Sequence, residues 1–125
     1  SGSDTGWKSA RGGMYQEINV VPGNTYRLSF WGATGPDDEQ LILGWIDGVE
    51  TWVVDQGVPG SYEELDSIGE GVNTYTELSG VITPTTSPIT IYADWRHNWA
   101  SGIGSCYVDD WSLENITGVS LWSTF

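Results

Sequence analysis

The stretch YQEINVVPGNTYRLSFW, residues 15–31, contains two β-rich runs separated by a proline and a glycine. Pro22 and Gly23 occupy the positions that a type II turn prefers, so a turn is expected to join the two runs. After the turn, apolar and more polar positions alternate: Tyr26, Leu28 and Phe30 alternate with Arg27, Ser29 and Trp31. Because successive side chains of a strand point to opposite faces, the first set is predicted to face a core and the second to face outward.

The rest of the chain repeats this pattern of short β-rich runs divided by Gly, Pro, Asn and Asp, and no segment has a helical period. The predicted strands cover residues 14–21, 26–33, 41–46, 49–54, 74–82, 89–95 and 105–113, with a weaker run at 119–122. Two acid- and glycine-rich loops are predicted at residues 34–40 and 55–73. The pattern indicates an all-β antiparallel sandwich or barrel, and a length of 125 residues fits one domain, residues 1–125.

The dipeptide Asp47-Gly48 lies between two apolar runs and is the strongest hairpin signal in the sequence. If the flanking runs pair through it, Trp45 and Trp52 become diagonal neighbours on one face. Two adjacent indoles would make a sugar platform, because the C–H faces of pyranose rings stack on aromatic rings. Burial of both faces, with the two tryptophans in the core, is an equally good interpretation. The face predicted for the core carries Ile42, Gly44 and Ile46, and the other face carries Leu41, Leu43 and Trp45.

The chain is strongly acidic, with 17 acidic against 4 basic residues and a formal net charge of −13. This charge repels phosphate backbones and anionic membranes, so neither nucleic acid nor a membrane is an expected partner. Acidic polysaccharides are disfavoured for the same reason, which leaves neutral ligands and divalent cations. Solubility in an extracellular medium explains the acidity equally well. Eight tryptophans and six tyrosines exceed the needs of one small core, so some are expected at the surface.

The segment DWRHNW, residues 94–99, combines two indoles, a guanidinium, an imidazole and an amide at the end of a strand. Flat apolar faces beside planar polar groups suit sugar recognition, so Trp99, Arg96 and Asn98 are predicted to bind and Trp95 to belong to the core. The alternative is that Trp99 caps the sandwich and Arg96 pairs with an acid. His97 is the sole histidine and Cys106 the sole cysteine, which excludes a metal site built from several of either residue.

Residues 15–31 and the closing stretch CYVDDWSLE, residues 106–114, together resemble the jelly-roll carbohydrate-binding modules of the family 4, 9, 16 and 22 type. The shared pattern is a Gln followed by alternating apolar residues, a Pro-Gly turn, a Tyr-led strand and a final Asp-Asp strand. The resemblance covers about residues 6–114. It implies a two-sheet antiparallel jelly roll, sugar binding, and a structural Ca²⁺ near the last strand, with Asp110 the favoured ligand and Asp109 hydrogen-bonded inward.

The chain departs from these modules at its start, where their usual opening Asn-Gly-acid-Phe-Glu strand is absent. Two consequences are open: an incomplete calcium site, or a sheet edge filled by the tail, residues 115–125. An uncovered edge would invite aggregation, so some element is expected to cover it.

The function expected from these patterns is a non-catalytic, secreted or cell-surface module of a larger multidomain protein, binding a neutral polysaccharide or oligosaccharide. The predicted sugar-contacting residues are Trp45, Trp52, Trp99, Arg96, Asn98, Trp31 and Arg27. Two alternatives stay open: a structural or adhesive sandwich without sugar affinity, and a small glycan-cleaving enzyme. Carboxylate pairs arise by composition alone in so acidic a chain, so catalysis is not expected.

Overall fold

The computed structural model describes residues 8–10, 13–35, 38–49, 62–69, 71–72, 74–97 and 106–118. The strands in these ranges are β1 (Lys8–Ala10), β2 (Gly13–Ile18), β3 (Tyr26–Thr34), β4 (Asp38–Ile46), β5 (Glu63–Ile68), β6 (Thr76–Ile82), β7 (Ile89–His97) and β8 (Cys106–Asn115). They form a five-stranded sheet in the order β1-β2-β7-β4-β5 and a three-stranded sheet in the order β6-β3-β8. Every pairing is antiparallel, which confirms the two-sheet jelly-roll sandwich. Nothing in these ranges forms a helix long and apolar enough to cross a membrane.

The core lies between the two sheets and draws on alternate residues of their inner strands. Its most deeply buried members are Leu28, Leu43, Leu78 and Ile89, each with an exposed fraction of 0%. Full burial of a side chain of this size stabilises the fold by about 1.5–3 kcal/mol relative to leaving it exposed. Tyr26, Leu28 and Phe30 belong to this cluster, as the alternation in β3 predicts.

The predicted turn after β2 is confirmed. Gly23 has a φ of 91°, the left-handed region that the third position of a type II turn requires. The backbone N–H of Asn24 donates to the Val21 carbonyl at 3.1 Å, which closes the turn. The backbone N–H of Val21 donates to the Tyr26 hydroxyl at 2.9 Å. The turn therefore carries the chain from the five-stranded sheet to the start of β3 in the other sheet.

The predicted hairpin at Asp47-Gly48 is wrong. β4 pairs with β7 along one edge and with β5 along the other, so neither edge is open to residues 49–54. The Asp47 carboxylate instead accepts hydrogen bonds from the backbone N–H and hydroxyl groups of Thr85 and Thr86, at 2.7–3.1 Å. Asp47 thus holds the loop before β7 against the end of β4. Residues 50–61, with most of the predicted strand, lie outside the described residues.

The predicted orientation of β4 is also wrong. Leu41, Leu43 and Trp45 belong to the core cluster, whereas the face that carries Ile42, Gly44 and Ile46 points away from it. Both faces of the strand are apolar, so alternation alone did not distinguish them.

Two edge strands were not predicted. β5 lies inside the stretch predicted as a long loop, and its sequence EELDSI is too acidic to indicate a strand. β1 pairs with β2, with Lys8 opposite Tyr15, and so forms one edge of the five-stranded sheet. Of the tail predicted to fill a sheet edge, residues 115–125, Asn115 ends β8 and residues 119–125 lie outside the described residues.

Candidate functional site

The outer face of the five-stranded sheet carries polar side chains from its central strand. Alternation in β7 sends Ile89, Ile91 and Ala93 into the core and Thr90, Tyr92 and Asp94 to the opposite face. The exposed fractions of these last three are only 1%, 1% and 8%. Groups this well covered offer little surface to a ligand themselves, so contact with a ligand falls to the half-buried and exposed side chains around them.

Three tyrosines form a row across the strands on this face. Tyr15 of β2 lies opposite Tyr92 of β7, with ring centroids 6.2 Å apart and ring planes at 31°. On the other side, Tyr62 stacks on Tyr92 at 5.3 Å and 25°. Tyr92 is buried, whereas Tyr15 and Tyr62 are half-buried. Aromatic pairs at such distances contribute about 0.5–1.5 kcal/mol beyond their area burial, so the central ring fixes the two accessible ones.

A glycine makes this row possible. Gly44 of β4 lies opposite Tyr92, and a Cβ added there would stand 2.7 Å from Cε1 of Tyr62 and 3.0 Å from the Glu63 carbonyl oxygen. The ring of Tyr62 therefore occupies the space above Gly44, where any other residue would place a side chain. A glycine inside a strand often marks such a close approach.

The Tyr62 hydroxyl donates a hydrogen bond to Oδ2 of Asp94. This bond fixes the free end of the Tyr62 ring and places a buried carboxylate beside the row. Nearby, the Thr90 hydroxyl donates to the Gly48 carbonyl at 2.8 Å, which ties the end of β4 to the same face.

Two exposed carboxylates border the row. Glu17 of β2 lies opposite Thr90, and Glu64 of β5 lies opposite Gly44. The described side chains of this face include the carboxylates of Glu17, Glu64 and Asp94. Aromatic rings beside hydrogen-bond acceptors suit a neutral, hydroxyl-rich ligand, and the negative charge disfavours an anionic one.

Of the seven sugar-contacting residues predicted from the sequence, the structure describes the side chains of three, Trp45, Trp31 and Arg27, and these three do not lie on one surface. Trp45 is 8% exposed in the core, the alternative that the sequence left open, and its indole Nε1–H donates to Glu63 Oε1 at 2.9 Å. Trp31 and Arg27 lie on the outer face of the other sheet. The backbone of Arg96 pairs with Gln40 near the end of β7. Trp52, Asn98 and Trp99 lie outside the described residues.

The two candidate calcium ligands lie at an irregularity of β8. The register between β3 and β8 shifts between Ser29 and Trp31, and Asp110 has a φ of 54°. Asp109 Oδ1 accepts the backbone N–H of Asp110 at 2.8 Å, and this bond lowers the pKa of Asp109. Both carboxylates are exposed.

These two residues do not by themselves fit a calcium site. Ca²⁺ takes six to eight oxygen ligands. Within the described ranges, no group of three or more His, Cys, Asp or Glu side chains is arranged to hold a metal ion. The calcium that the family resemblance implies therefore stays a prediction.

The tyrosine row was missed by the sequence reasoning, although two signals for it exist. Gly44 inside an apolar strand indicates a close approach. The alternation ITIYAD at residues 89–94 places a tyrosine and an acid on one face. The contribution of Tyr62 has no such signal, because it depends on the pairing of β5 with β4.

No family model matches this chain, and a search of curated proteins finds no match either. Solved structures do share its fold. The CBM22-2 xylan-binding domain from Paenibacillus barcinonensis Xyn10C is 18% identical, with a TM-score of 0.57 over 86% of this chain and 75% of that one. The C-terminal family 22 carbohydrate binding module of Clostridium thermocellum Xyn10B is 19% identical, with a TM-score of 0.58 over 92% and 71%.

A two-module structure has the same fold in one of its parts. It comprises the CBM22-1 and GH10 modules of Clostridium thermocellum endo-1,4-beta-D-xylanase 10B, complexed with xylohexaose. This chain is 16% identical to it with a TM-score of 0.58, and the match covers 95% of this chain but only 22% of that one. The likeness establishes a fold that these carbohydrate-binding modules also adopt.

Proposed function

We propose that this chain is a non-catalytic carbohydrate-binding module that holds a neutral polysaccharide or oligosaccharide on the outer face of its five-stranded sheet. The observation that supports this most is the row of three tyrosine rings beside the buried carboxylate of Asp94. The fold shared with solved xylan-binding modules adds to the case.

In this proposal each part of the row has a separate task. The half-buried rings of Tyr15 and Tyr62 contact the C–H faces of pyranose rings. Buried Tyr92 sets the spacing between them, so little conformational entropy is lost when a sugar binds. Carboxylates at the border, Glu17 and Glu64, accept hydrogen bonds from sugar hydroxyls. Uronate-rich glycans are repelled by the same carboxylates and by the net charge of −13.

The proposal also places the module in a secreted or cell-surface protein with further domains. This part of the proposal is supported by the two-module xylanase structure, in which the matched region makes up 22% of the chain. The module would keep an attached enzyme or surface protein close to its polysaccharide.

Isothermal titration with xylohexaose, cellohexaose, mannohexaose and oligogalacturonate tests the proposal. Saturable heat is expected with at least one neutral hexasaccharide and not with oligogalacturonate. Tyr62→Ala should weaken that binding by roughly tenfold, about 1.4 kcal/mol. Tyr62→Phe, which keeps the ring but loses the bond to Asp94, should lie between Tyr62→Ala and wild type. Absence of heat with all three neutral sugars, or release of reducing sugar from any of them, would count against a binding module.

A structural calcium is a separate proposal, and it rests on the family resemblance at Asp109 and Asp110. Thermal unfolding in millimolar CaCl₂ and in EDTA tests it. A midpoint that rises with calcium in wild type, but not in an Asp110→Asn variant, would support a site there. Identical midpoints in both solutions would end the calcium proposal.

A further inference from the structure

The outer face of the three-stranded sheet exposes a second set of aromatic rings. Trp31, Tyr75 and Tyr107 have exposed fractions of 41%, 52% and 55%. We call these three residues the outer aromatic platform. The exposed part of Trp31 alone amounts to about 100 Å², given that an indole side chain buries up to about 250 Å².

Strand register places Trp31 and Tyr107 at one end of the face, and Tyr75 lies just before β6 at the same end. Trp31 lies in β3, the central strand, and Tyr107 pairs with Ala33 two residues further on. Tyr107 is therefore a diagonal neighbour of Trp31, at a separation of about 7–8 Å that aromatic side chains can bridge. Tyr75 comes directly before β6, whose first residue, Thr76, lies opposite Gly32. Small residues in β3 thus separate two tyrosines that arrive from its two neighbouring strands.

Carboxylates flank the indole on both sides. Glu77 of β6 and Asp109 of β8 are the cross-strand partners of Trp31, and both are exposed. Directly opposed residues on one sheet face have Cβ atoms about 4.5–5.5 Å apart, so both carboxylates border the ring.

Hydroxyl and guanidinium groups continue the face along β3. Ser29 and Ser112 are hydrogen-bonded through their hydroxyls at 3.1 Å. The next pair of outward residues is Arg27 and Glu114, with Nη1 and Oε1 3.6 Å apart. Arg27 is therefore engaged with Glu114 at the far end of the face from Tyr107. The surface combines exposed rings, anionic acceptors and hydroxyls, which are the groups that recognise a neutral sugar.

We propose that the outer aromatic platform is a second carbohydrate-binding surface, which takes pyranose rings of a neutral polysaccharide independently of the tyrosine row. The two surfaces lie on opposite sides of the sandwich, so one module contacts two glycan chains or two segments of one chain. The proposal shares with the proposed function only the class of ligand, because no residue belongs to both surfaces. Because both surfaces can engage one polysaccharide at the same time, the module binds the polymer more tightly than either surface would by itself.

Native affinity electrophoresis tests this in gels that contain soluble xylan, hydroxyethylcellulose or galactomannan, with hexasaccharide titrations for stoichiometry. The variants are Trp31→Ala and Tyr107→Ala on the platform, Tyr62→Ala on the row, and the Trp31→Ala/Tyr62→Ala double variant. Wild type is expected to bind two equivalents of hexasaccharide. Trp31→Ala should bind one equivalent of hexasaccharide and should bind the polymer at least fivefold more weakly than wild type. The double variant should migrate as it does in a gel without polysaccharide. Trp31→Phe, which keeps an aromatic ring, should retain an intermediate affinity.

The outcomes separate this inference from the proposed function. One equivalent in wild type, unchanged in Trp31→Ala and lost in Tyr62→Ala, would overturn the second surface and leave the proposed function standing. Loss of binding in Trp31→Ala with no effect of Tyr62→Ala would support the platform and refute the row. Failure of wild type to bind any of the three polymers would refute both. A larger elution volume for Trp31→Ala than for wild type in size-exclusion chromatography would show that the platform mediates self-association, which would also overturn the inference.

Discussion

Replacement of Gly44 by alanine should damage the proposed sugar-binding face, although Gly44 is not among the residues proposed to contact a sugar. The added Cβ would stand 2.7 Å from Cε1 of Tyr62, well inside the ordinary contact distance, and 3.0 Å from the Glu63 carbonyl oxygen. The carbonyl belongs to the backbone of β5 and cannot easily move. The Tyr62 ring must therefore leave its position above β4.

The cost of this displacement has two parts. Overpacking of a closely packed site costs about 1–3 kcal/mol in unfolding free energy. Tyr62 also loses its stacking on Tyr92, worth about 0.5–1.5 kcal/mol, and its hydrogen bond to Asp94. The expected total is roughly 2–3 kcal/mol, because a ring that moves avoids part of the clash. Sugar binding should fall by about as much as in Tyr62→Ala, roughly tenfold.

Gly69→Ala is the matched control. A Cβ at Gly69 meets nothing within 4 Å, and this glycine lies just beyond the end of β5. The control should match wild type in stability or exceed it by up to about 1 kcal/mol, because alanine restricts the unfolded chain. Urea unfolding measures the stability of both variants, and near-ultraviolet circular dichroism reports the tyrosine environment. A Gly44→Ala variant that matches Gly69→Ala in stability, spectrum and sugar affinity would refute the argument that Gly44 seats Tyr62.

Three further predictions concern the scaffold. Asp47→Asn should be about 1 kcal/mol less stable than wild type, because the carboxylate accepts hydrogen bonds from four donors; unchanged stability in urea would contradict this. These bonds, first of all the one from the Thr85 hydroxyl, lower the folded-state pKa of Asp47. The stability difference between wild type and Asp47→Asn should therefore be complete above the unfolded pKa of about 3.9 and should vanish as the pH falls through the lowered folded value; urea titrations between pH 2 and 7 that show a constant difference would count against it. Leu43→Ala, at a fully buried site, should cost about 2–5 kcal/mol, whereas Val49→Ala, at a site 58% exposed, should stay within about 0.5 kcal/mol; similar losses for both would place Leu43 outside the core.

The strands that sequence analysis predicted correctly are those with a clear two-residue period. β3, β6, β7 and β8 lie within a few residues of the predicted ranges. Their alternation is strong because one side chain in two enters the core. β5 escaped prediction because an edge strand gains much of its stability from pairing, and its acidic residues blunt an otherwise reactive edge.

Two errors have one physical origin. The Asp47-Gly48 hairpin and the orientation of β4 were both inferred from local pattern. Non-local contacts decide them instead: β7 and β5 occupy the two edges of β4, and Thr85 and Thr86 engage the Asp47 carboxylate. A dipeptide that commonly forms a hairpin can serve a different turn when its carboxylate finds partners elsewhere.

The candidate site was the least predictable part, because its residues are distant in sequence. Tyr15, Tyr62 and Tyr92 meet only when β2 pairs with β7 and β5 pairs with β4. The sequence did indicate that aromatic residues exceed the needs of one core, and the exposed rings of Trp31, Tyr75 and Tyr107 agree with that expectation. The strand register decides on which face each aromatic residue lies and which residues are its neighbours, and a local sequence pattern does not predict the register.

The most direct test of the account is isothermal titration of wild type and Tyr62→Ala with xylohexaose, cellohexaose and mannohexaose. If the tyrosine row binds sugar, saturable heat is expected with at least one of these sugars, and a folded Tyr62→Ala variant should bind it roughly tenfold more weakly. Saturable heat that is identical in the two proteins would contradict the assignment of the tyrosine row. No heat from folded wild type with any of the three sugars would contradict the carbohydrate-binding function itself.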